Sequence, residues 1–345
     1  MNHFPVGAVT KTVQREGRFV EVVRRIESES AVFFVDTRVL QLHPHVRSAL
    51  RGHRVMPLRA GENVKSIAAM ERLARQLVDV SRAATFVAVG GGTIGDVVTV
   101  LAHLHKRGVR LVQVPTTLLA AVDSSVGGKG AVNVASVKNA LGVFHSAAET
   151  WLCFELFSTL SETQRREGRL EAWKMAVTLD AKAFRRWCAQ APDDLALVKT
   201  ARRLKERVVA ADPYERTGIR VVLNFGHTFG HVFESITDYR VRHGEAVGLG
   251  MLCALEIGAS MGVTPRTIAD AVGRSLPQPQ TARRTVARLT RLRSVDQIES
   301  LLKADKKSDG AGLRMVLLTA LGRWQLVDVS ADVWKAAWKR GFGDG

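Results

Sequence analysis

Residues 84–104, ATFVAVGGGTIGDVVTVLAHL, constrain the fold more than any other stretch. An apolar run, TFVAV, leads directly into Gly90-Gly91-Gly92-Thr93-Ile94-Gly95-Asp96 and then into an apolar helix pattern. Gly90, Gly92 and Gly95 fit GxGxxG in a strand–turn–helix context. Missing side chains let the backbone approach a pyrophosphate, and a helix N-terminus adds N–H groups and partial positive charge. A tight turn with close helix packing would use the same glycines. AVFFVD (31–36), VMPL (55–58) and VRLVQVP (109–115) read as further strands. Asp36 and Thr116-Thr117 then stand at strand ends, where open α/β sheets bind ligands. Asp36 could equally cap a turn, and it precedes the glycine turn, whereas the usual ribose acid follows it. Glu62 lies in a polar loop running from Gly61 to Ser66. Residues 122–142 read as loop, with Asp123, Lys129, Lys138 and Asn139. Lysines there can cradle a phosphate or carboxylate, although a solvated loop uses the same residues.

From about residue 155 the texture changes. Strand-like runs nearly vanish and amphipathic helix patterns fill 161–261. Residues 262–313 are poorly patterned, and LRMVLLTALGRWQLVDVS reads as a hairpin around Gly322. Within the helical half, residues 224–251 hold three of the ten histidines, His227, His231 and His243. His227 and His231 are four apart and share a helix face. His243 opens a second helix pattern rich in Gly and Ala, which permits close packing. Imidazole is a common ligand for divalent metals, and such sites usually add a carboxylate or thiol. The spacing fits a metal pair and also two hydrogen-bonded histidines at a helix end. Glu171 and Lys174, three apart, share a helix face, as a solvent ion pair would.

Composition narrows the function classes. With 345 residues and 46% hydrophobic content, the chain can build two cores. No signal pattern opens it and no apolar run is long enough to span a bilayer, so a cytoplasmic protein is expected. Cys153, Cys188 and Cys253 are scattered and read as reduced thiols. The formal charge of +17 raises nucleic-acid binding. Against it, the basic residues are dispersed, no binding-module motif accompanies them, and aromatics are few. An anionic small molecule is the other partner that positive charge suits.

GGGTIGD, KRGVRLVQVPTTLLAAVDSSVGGKGAVN, KN, EAWK, VVAADPYERTGIRVVLNFGHTFGH, HGEAVGLGM and ADKK, in that order, closely resemble the 3-dehydroquinate synthases, members of the sugar-phosphate cyclases. The likeness runs from about Asp36 to about Leu318 and is densest between 90 and 251. It implies a Rossmann-like α/β nucleotide-binding domain over 1–157 and a mainly α-helical metal- and substrate-binding domain over 158–345. A cofactor–metal cleft between the two is expected. By position it gives Glu171, His227 and His243 as zinc ligands, a set that cobalt would also suit. His231 becomes a substrate contact. Asp36, Glu62, Lys65, Gly91, Gly92, Asp96, Thr116 and Thr117 match NAD-binding positions, with Lys138 grouped beside them. Asp123, Lys129, Asn139, Lys174, Lys205, Arg220, Asn224, His231 and Lys306 of the DKK run match substrate positions. Arg107 matches a residue that reaches a neighbouring subunit's site, which implies a homodimer. The implied reaction converts 3-deoxy-D-arabino-heptulosonate 7-phosphate to 3-dehydroquinate and phosphate through transient oxidation, elimination, reduction and intramolecular aldol closure. The chain departs from the family pattern at GKGAVN, where GKTGVN is usual, at Val137 before KN, at Met175 after Lys174, and in one extra residue between Asp212 and Asn224. Competing readings are a sister cyclase acting on sedoheptulose 7-phosphate, glucose 6-phosphate or an amino analogue, and a metal-dependent polyol-phosphate dehydrogenase.

Overall fold

A computed structural model describes residues 11–26, 30–135, 137–277, 280–290, 295–305 and 313–342. The chain divides into two compact units, residues 1–165 and 166–345. The division falls within the first turns of helix Glu162–Leu179.

The first unit contains eight described strands: β1 (Val13–Glu16), β2 (Ala31–Asp36), β3 (Arg54–Leu58), β4 (Thr85–Gly90), β5 (Arg110–Pro115), β6 (Lys129–Val134), β7 (Val137–Phe144) and β8 (Glu149–Leu152). Six of them form a parallel sheet in the order β1-β8-β5-β4-β2-β3. Alternate residues of β2 feed two separate apolar layers: Val32 and Phe34 face one, Phe33 and Val35 the other. Coverage on both faces is what makes AVFFVD continuously apolar. Each such side chain contributes roughly 1.5–3 kcal/mol on full burial. The chain runs from β2 outward to β3 on one side, and from β4 outward to β5 on the other. Between β2 and β4 the winding reverses, and the crevice beyond their carboxyl ends is the ligand position of open α/β sheets.

Residues 122–142 are not simply loop, contrary to the sequence pattern. β6 and β7 pair as an antiparallel hairpin with Lys129 opposite Phe144 and Val132 opposite Leu141. The hairpin lies on helix Gly92–Leu104: a Cβ at Gly130 would come 2.6 Å from the Thr99 Cβ and 2.9 Å from the Asp96 carbonyl. Gly130 thus allows a close approach that no larger residue permits. The pattern also missed β1 and β8, four-residue strands rich in polar side chains. They are held by the buried Glu149 carboxylate, which accepts from Arg15 Nε at 2.6 Å, Arg110 Nη2 at 2.7 Å, Trp151 Nε1 at 2.9 Å and Arg25 Nε at 3.1 Å. Burial alone would raise this carboxyl, but those donors outweigh it and hold it below the usual carboxylate range.

The second unit is mainly helical. Its longest helices are Glu162–Leu179, Asp194–Ala211 and His243–Ser260. The poorly patterned 262–313 region supplies helices Arg266–Ser275, Gln280–Thr290 and Val295–Asp305. The hairpin around Gly322 is β9 (Leu313–Ala320) and β10 (Arg323–Val329), and the Gly322 N–H donates to the Val177 carbonyl at 2.8 Å. Trp338, on the last helix, stacks on Phe229 and Phe233 with centroids 5.9 and 5.5 Å apart. This fixes the helix His227–Ile236 from its outer side. Among the described residues no helix is long and apolar enough to cross a membrane.

Candidate active site

At the carboxyl edge of the sheet, Asp36 ends β2 with its carboxylate accepting from the Arg38 N–H at 3.0 Å. It therefore caps the helix Thr37–Leu42 from the carboxyl end of its strand. Gly91 is the N-cap of helix Gly92–Leu104, and the first N–H groups of such a helix have no partner within it. A Cβ at Gly91 would meet Thr117 Cγ2 at 3.3 Å, and one at Gly92 would meet Ser124 Oγ at 3.2 Å. The glycine turn is thus walled by the segment after β5. The Thr116 N–H donates to the Gly90 carbonyl at 2.9 Å, tying the two strand ends together. Asp123 lies beside Ser124 in the turn Ala120–Ser124.

Behind the turn a polar network joins residues far apart in sequence. The buried Lys65 ammonium donates to Asp96 Oδ2 and to Asn139 Oδ1, both at 2.6 Å. Burial pushes the Asp96 carboxyl up, and the Lys65 charge pulls it back. Asn133 donates to Glu62 at 2.8 Å and accepts from the Asn139 N–H at 2.9 Å. Glu62, Lys65, Asp96 and Asn139 therefore meet in one place. Lys138 and Lys129 sit on the same hairpin, Lys129 exposed and Lys138 half-buried. The glycine turn, the helix N-terminus and these charges fit a dinucleotide phosphate group.

In the second unit, Glu171, His227 and His243 converge. Each offers a donor atom, and the three atoms lie within 4.8 Å of one another. The Nε2 atoms of His227 and His243 are each 3.7 Å from Glu171 Oε1. That oxygen is fully buried and accepts no hydrogen bond from any described residue. A buried carboxylate oxygen in this position is costly unless a cation completes it, and one carboxylate with two imidazoles is a donor set for zinc. The geometry fits the metal.

Packing explains how three distant residues meet. Gly244 lies against the backbone of Glu167, one turn from Glu171: a Cβ there would be 2.6 Å from both the Cα and carbonyl oxygen of Glu167. A Cβ at Gly250 would overlap the Gly226 carbonyl, next to His227. Two ion pairs flank the His243 turn, Arg242 Nη1 to Glu167 at 3.0 Å and Arg166 Nη1 to Glu245 at 3.3 Å. The ring orientations are set from behind. His243 Nδ1 is 3.3 Å from Glu234 Oε2, and His227 Nδ1 is 3.5 Å from the Phe225 carbonyl. An N–H donated from each Nδ1 leaves the Nε2 lone pair free for a metal. Burial, then the charges of Lys174, His243 and His231, hold the His227 imidazole well below its ordinary pKa, so it is neutral.

Lys174 is buried and its ammonium contacts Glu171 Oε2; it is not the solvent pair that i,i+3 spacing suggests. His231 lies beside this cluster, its ring centroid 5.6 Å from that of His227. Lys205 and Arg220 are buried, whereas Asn224 is exposed. Lys306 lies outside the described residues. Arg107 is exposed in the turn His105–Arg107, with Lys106 and Arg107 at φ 46° and 66°. Sequence reasoning missed Glu234 and Asn133. Neither sits at a spacing that signals its partner, and each became visible once the fold placed it.

Two family models match end to end, the 3-dehydroquinate synthase N-terminal model over residues 55–167 and the C-terminal model over 168–308. The chain belongs to the 3-dehydroquinate synthase family. A 3-dehydroquinate synthase of Pyrobaculum neutrophilum is 35% identical over 313 residues, covering 87% of this chain and 89% of that protein. A 2-epi-valiolone synthase of Actinosynnema mirum is 35% identical over 336 residues, covering 92% and 87%. Among solved structures, 2-deoxy-scyllo-inosose synthase complexed with carbaglucose-6-phosphate, NAD+ and Co2+ superposes with a TM-score of 0.79 at 25% identity, over 95% and 96% of the two chains. The glycine turn and the Glu–His–His cluster of this chain suit a dinucleotide and a divalent metal of the kind bound in that structure.

Proposed function

We propose that this protein cyclises 3-deoxy-D-arabino-heptulosonate 7-phosphate to 3-dehydroquinate with release of phosphate. The observation that carries the reading is the buried, hydrogen-bond-free Glu171 oxygen facing two imidazole nitrogens. When bound, a divalent cation supplies Lewis acidity toward a secondary alcohol and NAD supplies a hydride acceptor that is regenerated within the cycle. The chain's residues do the rest by position and charge. The helix N-terminus at Gly91-Gly92 receives the dinucleotide pyrophosphate, and Asp36 the ribose. His227 and His243, with Glu171, would hold the cation. Lys174, beside Glu171, donates to substrate oxygen as negative charge develops there. Arg220 pairs the substrate carboxylate, and His231 and Lys129 hold phosphate. The phosphate leaving group can itself accept the neighbouring C–H proton, so no strong protein base is needed.

The test is phosphate release from the heptulosonate phosphate by protein loaded with NAD and zinc, with and without chelator. The reading expects turnover that chelator abolishes and zinc or cobalt restores, with no net NADH absorbance. Accumulation of NADH would instead indicate a dehydrogenase. A second reading is a sister cyclase, which the similarity to a 2-epi-valiolone synthase of Actinosynnema mirum supports; the same assay with sedoheptulose 7-phosphate as substrate tests it.

The finer reading of assembly is a cytoplasmic homodimer in which Arg107 reaches the partner's site. Its support is the exposed, left-handed turn that presents Arg107, next to Leu104 at 62% exposure. Light scattering, and loss of turnover in Arg107→Ala without loss of zinc, test it.

A further inference from the structure

We infer that Glu215 is a resident counter-ion of Arg220 and governs whether a substrate's carboxylate is accepted there; this rests on the reading of Arg220 as the carboxylate-binding arm. The Arg220 side chain is 3% exposed and carries a permanent charge, so it requires a partner within the protein or from a ligand. The loop that precedes it is folded over it. Asp212 accepts from the N–H groups of Arg216 at 2.8 Å, Thr217 at 3.2 Å and Arg220 at 3.3 Å. Arg220 Nη1 donates to the Pro213 carbonyl at 3.0 Å. Inside this loop Glu215 holds φ at 57°, a region that costs free energy for a residue other than glycine. Its carboxylate Oε1 lies 3.3 Å from Arg220 Nε, an ion pair without hydrogen-bond geometry.

The pair is asymmetric. Glu215 is 43% exposed and can swing into water, whereas Arg220 is fixed by its burial and by the Pro213 carbonyl. A ligand carboxylate arriving at Arg220 must displace Glu215 or sit beside a like charge. A seven-carbon sugar phosphate without a carboxylate meets neither obstacle and leaves the pair intact. Glu215 therefore weakens binding of the carboxylate ligand selectively. Because its outer half is solvated and screened, the effect is roughly five- to tenfold.

The experiment uses the protein loaded with NAD and zinc and compares wild type with Glu215→Gln and Glu215→Gly. Glycine suits the positive φ, so a gain there cannot be put down to a damaged loop. Calorimetry measures binding of the non-cleavable phosphonate analogues of the heptulosonate phosphate and of sedoheptulose phosphate, whose C–P bond blocks phosphate loss. Both variants should bind the carboxylate analogue roughly five- to tenfold more tightly and the carboxylate-free one within twofold of wild type. In turnover, KM for the heptulosonate phosphate falls while kcat holds. Unchanged or weakened binding of the carboxylate analogue, or equal tightening of both, overturns the inference. If wild type turns over neither sugar phosphate, the proposed function fails, and the differential binding still decides the role of Glu215.

Discussion

Replacing Gly244 by alanine tests how the candidate metal ligands Glu171, His227 and His243 are brought together. The added Cβ would stand 2.6 Å from the Cα and the carbonyl oxygen of Glu167, where ordinary contact begins at 3.4 Å, a shortfall of 0.8 Å. Both obstructing atoms are backbone, so no rotamer change relieves the overlap. Gly244 is the second residue of helix His243–Ser260, so alanine gains there at most the ~1 kcal/mol over glycine of a helix interior. Overpacking costs roughly 1–3 kcal/mol, and backbone against backbone belongs at the upper end, so the clash wins by about 2 kcal/mol. For a unit of this size that lowers Tm by about 4–8 °C. The effect on the metal is sharper. Relief of the overlap moves His243 away from the helix of Glu171 by a distance several times the ~0.2 Å tolerance of a zinc site. Zinc affinity should fall at least about tenfold, measured by competition with a fluorescent chelator. The control is Gly273→Ala, whose Cβ would meet Leu252 Cδ2 at an ordinary 3.7 Å and should leave both zinc affinity and Tm unchanged or Tm raised. A Gly244→Ala protein with wild-type zinc affinity and a raised Tm would refute the reasoning.

Further tests address the groups behind the sites. Glu234→Gln weakens the acceptor for His243 Nδ1 and should reduce zinc affinity about 10–100-fold while leaving the fold intact, read by the same chelator competition. Lys65→Met strips Asp96 and Asn139 of their shared cation, so the Asp96 carboxyl rises further; NADH titration by fluorescence should show affinity down by about tenfold. Glu149 has a folded pKa below its unfolded value, so its stabilisation is complete above the unfolded value of about 4.3 and is lost as pH falls through the folded one. Glu149→Gln should therefore lower Tm near neutrality and flatten the acid side of the Tm–pH profile; an unchanged acid limb would show that the four donors around Glu149 contribute nothing net.

Much of this protein was legible from one dimension. Continuous apolar runs could bury only as strands covered on both faces, as AVFFVD and TFVAV do. A glycine turn between strand and helix could present only backbone, and the Gly- and Ala-rich run after His243 announced close helix contact. Those are local consequences of side-chain size and periodicity. The tertiary structure decided everything that depends on partners distant along the chain. The hairpin of β6 and β7 draws its support from helix Gly92–Leu104, and the short strands β1, at the sheet edge, and β8, its neighbour, are gathered by Glu149. Residue spacing alone left HxxxH ambiguous between a metal pair and hydrogen-bonded histidines. Folding put His231 beside the donors and brought Glu171 and His243 onto His227, because glycine lets those helices touch. Glu234 behind His243 and Glu215 beside Arg220 carry no mark in the sequence, since a carboxylate's role is set by the charge that burial places next to it.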